Sequence, residues 1–474
     1  MSTFSGLNTA YTALSAARQG LDVVGQNIAN VNTEGYTRQR VSTSSIGSVA
    51  QTGPLSQGAR PGQGVAVTGI ARLGDLFVDA KVRSSAASAG FWNVRASALS
   101  NVEGILQEPG ENGISAQLSE FWAAWQDVSN RAGETASAGV LLEQAGVLTS
   151  RIGSAYTAIE GEWGSLRSQM DGMVAELNSA AQQVADLNAR IRTATAAGSS
   201  VNELLDKRSS LTATIATLAG GTARETADGS VEVLIGGNAI VSGDSFRPVT
   251  VVGGYRMEDA TADAVHLEWA HRPGAAIAVD GGELAAAVRV LAPADGAGTG
   301  GTFAEAAEAL NEFATTLATS VNAVHSTGES STGATGLDFF GFDPGVPAAR
   351  GISVIPTDIS GIASGTPGSG AYNGSVADAI AQIGLDPAGP DAVWSSIVTG
   401  IGVASRTASQ QSSLADISAD SAVGAQLSHS AVDLDEENIN MLTFQVAYQG
   451  AARVMTAVDE MLDTLINRTG VVGR

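Results

Sequence analysis

LNTAYTALSAARQGLDVVGQNIANVNTEGYT, residues 7–37, is the stretch whose reading decides the fold. Leu7, Ala10, Leu14, Ala17, Leu21, Val24, Ile28 and Val31 follow a 3-4-3-4 spacing without a break. That spacing keeps one face of a helix against a partner helix. The leading positions are Leu, Leu, Leu and Ile, and the alternating ones start with Ala. A two-sevenths stripe is narrower than the face of a globular core helix, and with Ala in it the stripe suits close helix–helix contact. The seam stops for local reasons. Asn27, Asn30 and Asn32 compete for backbone hydrogen bonds and favour caps and turns. After Thr33, Gly35 supplies a left-handed conformation without a Cβ penalty, and Tyr36 begins a β-leaning stretch.

The far end of the chain mirrors this pattern. Met441, Phe444, Tyr448, Ala451, Met455, Val458, Leu462 and Leu465 hold the same 3-4 spacing. Asp433 or Asp435 can cap the start, and Glu436 and Glu437 sit where the helix dipole favours anions. Arg468 falls in the last turn and Gly470 just beyond it, a common helix stop. Periodicity alone leaves open whether these are ordinary core helices that happen to be terminal. The narrow stripes argue against that, as does the rule that chain ends stay poorly ordered unless something ties them down.

The chain has 474 residues, enough for two to four domains. Aromatics are 5% and Gly numbers 57, so the cores are expected to be thin and built from Ala, Val, Leu and Ile. Asp and Glu number 48 against 25 Lys and Arg, a net charge of −23. Such a surface repels nucleic acid and anionic membranes, which disfavours both as partners. There is no cysteine, which excludes disulfides, thiolate chemistry and Cys-ligated metal. No conventional signal peptide opens the sequence, and no stretch approaches the roughly 18 apolar residues of a membrane span. Export would need another route.

In chain order, residues 37–72 read as short strands and turns. The strands are Arg40–Thr43 and the run holding Val65, Val67 and Ile70; Gly53-Pro54, Pro61-Gly62 and Gly64 punctuate. Asp75 opens a helical region that Pro109-Gly110 ends. Ile114, Leu118, Phe121, Trp122, Trp125 and Val128 give a second helix an aromatic face. A 3-4 pattern then runs from Leu141 to Ile191 with one stutter between Ile159 and Trp163. Gly146, Gly153, Gly161, Gly164 and Gly172 leave open whether that is one helix. A short helix covers 202–218. From Gly220, strands at 231–235, 239–241, 249–252 and 265–269 imply a small β domain at about 222–281. Helices follow at 283–292 and 303–324. Residues 326–372 read as irregular with a strand near 352–355. Helix resumes at 375–383 and from 391 to about 428, bending into the C-terminal seam. The fold class is mainly α with a β insert.

No catalytic, cofactor-binding or metal-binding constellation emerges. Gly296-Ala297-Gly298-Thr299-Gly300-Gly301 matches a dinucleotide fingerprint and precedes a helix, but Pro293 separates it from any strand and no acid-terminated strand follows. Asp433, Asp435 and Glu437 begin a calcium-loop spacing, yet Asn438 stands at the required Gly and Phe444 at the required Glu. His266 and His271 lack a third ligand. Asp206-Lys207-Arg208 reads as an ion-paired helix surface.

Two segments carry a resemblance. Ser5-Gly6-Leu7, with Asn27-Ile28-Ala29-Asn30-Val31-Asn32-Thr33-Glu34-Gly35-Tyr36, resembles the N-terminal signature of bacterial flagellar rod, hook and hook-associated proteins. Position 34 is usually Pro in that motif. Gln445-Val446-Ala447-Tyr448-Gln449 and Thr456-Ala457-Val458-Asp459-Glu460-Met461 resemble their C-terminal helix. Phe121-Trp122-Ala123-Ala124-Trp125-Gln126-Asp127-Val128-Ser129-Asn130 and Leu204-Leu205-Asp206-Lys207-Arg208 are similar to the hook-associated members.

The resemblance implies that residues 1–36 and 430–474 pair as an inner coiled coil, joined by a β-rich connector (37–74). A helical bundle (75–221 and 282–429) comes next, with the β insert (222–281) outermost. It implies a structural protein and not an enzyme, extracellular in the flagellum and exported by the flagellar type III route. The implied role is a ring of self-associated copies joining hook to filament. Implied partners are further copies, hook protein, junction protein 3, an export chaperone on the C-terminal helix and the export apparatus. The implied assembly seam is Leu7, Leu14, Leu21, Val24, Ile28, Met441, Phe444, Tyr448, Met455, Val458, Leu462 and Leu465, with the motif turn Asn27, Asn30, Asn32, Thr33, Gly35 and Tyr36. A hook or distal rod protein shares both ends and stays open as an alternative, as does a secreted adhesin or enzyme with flagellar-type ends.

Overall fold

The computed structural model describes residues 3–47 and 62–468. Gly53-Pro54, Pro61 and Gly470, singled out above, lie outside them. The first helix, α1 (Thr3–Ala29), leads into a two-stranded antiparallel ribbon, β1 (Gln39–Ser45) and β2 (Val65–Arg72). Val31 lies past the end of α1, in the turn, and is not on the helix seam. Helix α2 (Leu76–Leu106) starts where Asp75 accepts hydrogen bonds from the Phe77 and Val78 N–H groups, an N-cap. Helix α3 (Ile114–Asn130) buries Ile114, Leu118, Phe121, Trp122, Trp125 and Val128.

Helix α4 (Thr135–Ala196) is continuous over 62 residues. Its glycines do not break it, for a local reason. At Gly146, Gly161, Gly164 and Gly172 an added Cβ would meet nothing within 4 Å, so these sit on the open face. The buried face supplies the continuity, with Leu141, Leu148, Ile152, Ile159, Trp163, Met170, Leu177 and Val184 all 5% exposed or less.

Helix α5 (Asn202–Ala219) ends at Gly220 in the left-handed region. The β insert then forms two small antiparallel sheets. The first is β3 (Thr222–Glu225), β4 (Val231–Ile235), β5 (Asn238–Ser242) and β6 (Ser245–Phe246). The second is β7 (Val249–Val252), β8 (His266–Trp269) and β9 (Arg272–Ala276). Strands β3, β6 and β9 have no counterpart in the sequence reading. β6 has two residues and β9 contains Pro273 and Gly274, so neither offers a period-two apolar pattern.

The insert is bolted to α4 by two asparagines. Asn188 donates to the Val231 and Gly243 carbonyls and accepts from the Val231 N–H; Asn178 brackets Val249 in the same way. One buried cluster runs from Ala98 on α2 through Val233, Ile240 and Leu267 of the sheets to Trp394. The insert therefore shares the helices' core.

The rest of the chain is helix α6 (Gly282–Val290), α7 (Thr302–His325), strand β10 (Phe340–Phe342), the turn-length α8 (Ala348–Gly351), β11 (Ile352–Val354) paired with β10, α9 (Ser375–Ala381), α10 (Pro390–Ser430) and α11 (Leu434–Asp463). Phe339 and Phe340 are buried against Phe121. His325 is buried with Nδ1 donating to the Leu337 carbonyl and Nε2 accepting from the Ala363 N–H, and burial holds its pKa below the ordinary value. Helix α10 does not bend into α11: the chain leaves helix at Ala431 and restarts at Asp433, whose carboxylate accepts from the Asp435 and Glu436 N–H groups.

Helices α2 and α10 pack antiparallel. Ala408, Ala415 and Ala422 recur every seventh residue on the buried side of α10, and small side chains let the axes approach closely. Polar pairs fix the register, including Gln426 to Asp79 at 2.6 Å, Asn93 to Asp416 at 3.1 Å and Ser405 to Glu103 at 2.7 Å.

Trp163 has no exposed surface, and its indole N–H donates to the Leu291 carbonyl at 3.2 Å. Trp163→Ala is expected to cost about 3–5 kcal/mol of core stability, the usual range for a buried aromatic truncation. Denaturant unfolding followed by far-ultraviolet circular dichroism would measure it.

Candidate functional site: the paired chain ends

Helices α1 and α11 lie side by side and antiparallel. A Cβ on Gly6 would sit 3.7 Å from Val458, and one on Gly20 would sit 2.5 Å from the Phe444 ring. Asn27 Nδ2 donates to Glu437 at 3.1 Å. In all three pairs the residue numbers add to 464, so one register holds over the whole helix pair.

The contact stripe on α1 is rotated from the seam read in the sequence. Ala10, Ala17, Gly20, Val23, Val24 and Asn27 are buried, whereas Leu7, Leu14, Leu21 and Ile28 are half-buried on its flank. Gly6, Ala13, Gly20 and Asn27 recur every seven residues; the first three admit α11 by their smallness, and Asn27 meets it through its hydrogen bond to Glu437. The signal was present as a second heptad of small residues. The seam read from the sequence held Ala10, Ala17 and Val24 of the buried stripe, and missed Gly6, Ala13 and Gly20, each one position before a seam leucine.

On α11, Val458 is buried, and Met441, Phe444, Met455 and Leu462 are half-buried. Tyr448 and Leu465 do not join the seam and are 38% and 59% exposed. Tyr448 falls in register with Ala16, whose single methyl covers little of a phenol ring. Leu465 lies beyond the reach of α1, which begins at Thr3, and sits in the π-helical turn Thr464–Arg468.

A polar cluster locks this pair to the rest of the chain. Asn27, 1% exposed, uses every hydrogen-bonding position of its amide. Nδ2 donates to the Gln39 carbonyl at 2.9 Å and to Glu437; Oδ1 accepts from the Gln39 N–H at 3.0 Å and the Tyr36 hydroxyl at 2.9 Å. Glu437, also 1% exposed, is neutralised by Arg38 at 2.7 Å. Arg38 further bonds Glu436 at 2.5 Å and donates its backbone N–H to the Ser430 carbonyl at 2.8 Å. Burial works against the Arg38 charge, but hydrogen bonds to Glu436 and Glu437 outweigh it and hold the pKa above its ordinary value.

Asp206 is a buried member of this cluster, not an exposed one. It accepts from the Thr37 N–H at 3.1 Å and from Arg72 at 2.6 Å. Arg208 is buried as well and donates to Asn188 and the Gly229 carbonyl. The ion-paired surface expected for Asp206-Lys207-Arg208 is thus wrong for its two ends: α5 turns both inward, one to the connector and one to the β insert. Asn202 extends the cluster by donating to Gln39 at 3.0 Å and the Ile70 carbonyl at 3.1 Å.

The motif turn follows local chemistry. Asn30 donates to the Gln26 carbonyl at 2.9 Å and accepts from Thr33 at 3.2 Å, Asn32 is exposed, and Gly35 takes φ +75°. Burial pushes the Tyr36 phenol up to about 12, with Asp206, Glu203 and Glu437 adding to the shift.

The glycine-rich loop at 296–301 is filled by the chain itself. Asp295 accepts from the Ala297 and Thr299 N–H groups, and Glu305 from those of Asp295 and Gly300. Carboxylates stand where a phosphate would sit. His266 contacts Glu268 at 2.9 Å, and His271 packs against Trp269. Among the described residues no cluster of His, Cys, Asp or Glu could hold a metal, and no helix is long and apolar enough to cross a membrane.

Two chain ends fold on each other around a helical middle, and each end matches a flagellar rod-protein pattern. The pattern of the flagella basal body rod protein family matches residues 7–37, and that of the flagellar basal body rod FlgEFG protein C-terminal family matches 424–468. The pattern of the flagellar hook-associated protein FlgK helical domain matches 99–340, more than half the chain. The chain belongs to the FlgK hook-associated family and is a structural component of the bacterial flagellum. Flagellar hook-associated protein 1 of Bacillus subtilis (strain 168) is 28% identical over the full length of both chains. That of Salmonella typhimurium is 26% identical over 249 residues, 52% of this chain and 44% of its own. The solved flagellar hook junction protein FlgK from Burkholderia pseudomallei shares the fold, with a TM-score of 0.63 at 14% identity, covering 73% of this chain and 99% of that one.

Two outcomes follow. Gly20→Val places methyl groups inside the Phe444 ring and should weaken the helix pair by about 1–3 kcal/mol, as overpacking does. Faster amide exchange in α1 and α11, reversed by adding Phe444→Ala, would be its signature. For Tyr36 the folded state favours the neutral phenol. Its stabilisation is full below the model-peptide value of 10.0 and is lost as pH rises through about 12. Tyr36→Phe should remove one of two late-titrating phenols, Tyr156 being the other, in an ultraviolet pH titration.

Proposed function

We propose that this chain forms the ring that joins hook to filament, assembling through its paired terminal helices with further copies, with hook protein below and junction protein 3 above. The observation that carries the reading is the second face of α11. Ile439, Leu442 and Val446 are 60–68% exposed on the side away from α1, and Val454 (50%) and Met461 (54%) are exposed on its flank. Apolar side chains in such a row mark a surface that another protein covers. In the assembled ring that cover is the terminal helices of neighbouring subunits. Before assembly it is an export chaperone, and the chain reaches the outside through the flagellar type III apparatus. The inner pair (1–36 with 430–474), the connector (37–74), the helical bundle (75–221 with 282–429) and the β insert (222–281) are the proposed units of this assembly.

The test is deletion of the gene, with electron microscopy of the cells and assay of flagellin in the medium. Hooks without filaments, with flagellin shed as monomer, are expected. Missing hooks would move the chain to the hook or rod, and intact filaments would remove the junction role. In a complemented strain, Val446→Asp should block filament growth while the purified chain keeps its circular dichroism spectrum. Leu21→Asp should also block it, because a charge on this half-buried flank has no partner once a neighbouring helix covers it.

A further inference from the structure

A cleft of about 490 Å³ opens where α2 passes the end of α5 and the start of α6. That lies within the range of ligand-sized sites, roughly 300–1,000 Å³. Glycines make its floor. Gly220 takes φ +68° and a Cβ there would lie 2.8 Å from the Gly281 backbone; Gly282 takes φ +79° and its Cβ would lie 2.7 Å from the Ala219 nitrogen. The two backbones meet with no side chain between them, and the cleft stays open above.

Two arginines line it, Arg83 and Arg289, and among the described residues neither has a carboxylate in contact. Arg83 lines the cleft, is half-buried, and makes no hydrogen bond or ion pair among the described residues. Burial lowers its pKa more than Asp79 and Glu225 restore it, so its charge is incompletely compensated. Arg289 lies 5.2 Å from the Phe91 ring centroid, and Arg95 lies 5.8 Å from that of Trp92. Phe91 and Trp92 meet edge to face at 5.4 Å. A guanidinium stacked on a ring keeps its N–H edge free for a carboxylate. Two acids are close. Asp280 lines the cleft, and Glu283 is pushed toward its neutral form by burial and by Glu176. Ser84 and Ser88 present hydroxyls along the same helix face.

Positions 83 and 91 are about 12 Å apart along α2. That separation matches two acidic side chains four residues apart, on one face of an extended segment, at about 3.3 Å per residue. The chain as a whole carries −23. Copies of such a body repel at long range, and close packing needs local sites of opposite sign. We propose that this cleft receives an extended acidic segment of a second copy of the chain, held by carboxylate pairs to Arg83 and Arg289. The proposal rests on the assembly reading given under Proposed function.

The experiment places a photo-crosslinking residue in the cleft, Ser88→p-benzoylphenylalanine, in cells building flagella. A companion probe, Leu442→p-benzoylphenylalanine, reports on α11. The expected result from position 88 is an adduct of two chains that maps to a peptide bearing Asp or Glu. With Arg83→Gln and Arg289→Gln added, its yield should fall at least about five-fold, as loss of two rim charge pairs implies, with secretion of the chain unchanged. No two-chain adduct, an adduct to a different protein, or a yield indifferent to the arginines would overturn the proposal. Adducts from position 442 to flagellar neighbours with none from 88 would sink the cleft alone. Silence at 442 would count against the assembly reading itself.

Discussion

The hydrogen bond between Asn27 and Glu437 joins side chains 410 positions apart, and the rest of the architecture depends on it. A carboxylate as buried as Glu437 is stable only when its charge is matched and its oxygens are occupied. Arg38 supplies the charge and Asn27 the remaining bond. Each of these residues is fixed by another element: Asn27 by the β1 backbone, Arg38 by the end of α10, Glu437 by the capped start of α11. The two ends of the chain are therefore held in one register by a cluster in which no member can move alone. The apolar seam brings the helices together, and the polar cluster decides how they align.

Helices were legible in the sequence because their apolar periodicity is long and local. The aromatic face of α3 and the buried stripe of α4 could be counted residue by residue. The β insert was legible only where strands carry an apolar run, so β4, β5, β7 and β8 emerged while β3, β6 and β9 did not. The polar cluster was not legible at all. Asn27 has the same local preferences as Asn30, and only tertiary contact separates a turn-former from a register lock. Asp206 and Arg208 sit in a charged run that reads as surface, since nothing in a single sequence shows that α5 lies between the connector and the sheets. The helix seam was found in part: Ala10, Ala17 and Val24 are buried, but its leucines fall on the flank, because glycine counts for nothing on a hydrophobicity scale although Gly6 and Gly20 set how near the two helices come.

The membership in a flagellar hook-associated family and the structure explain each other at two levels. The middle of the chain has one continuous core to which the β insert is bonded through α4. The ends, by contrast, bury small residues against each other and leave apolar side chains of α11 in the open. A surface subunit of an assembly needs this division: a body that is stable by itself, and edges that are finished only by neighbours.

The uninterrupted α4 also has a mechanical meaning. At 1.5 Å per residue it is a strut about 93 Å long, and the helix that follows it, α5, is anchored in the polar cluster through Asn202 and Asp206. A tilt of about 3° at that anchored end sweeps the Thr135 end through about 5 Å. Small angular differences in how the chain ends are seated thus become large displacements at the opposite pole, as a pointer magnifies the movement of its pivot.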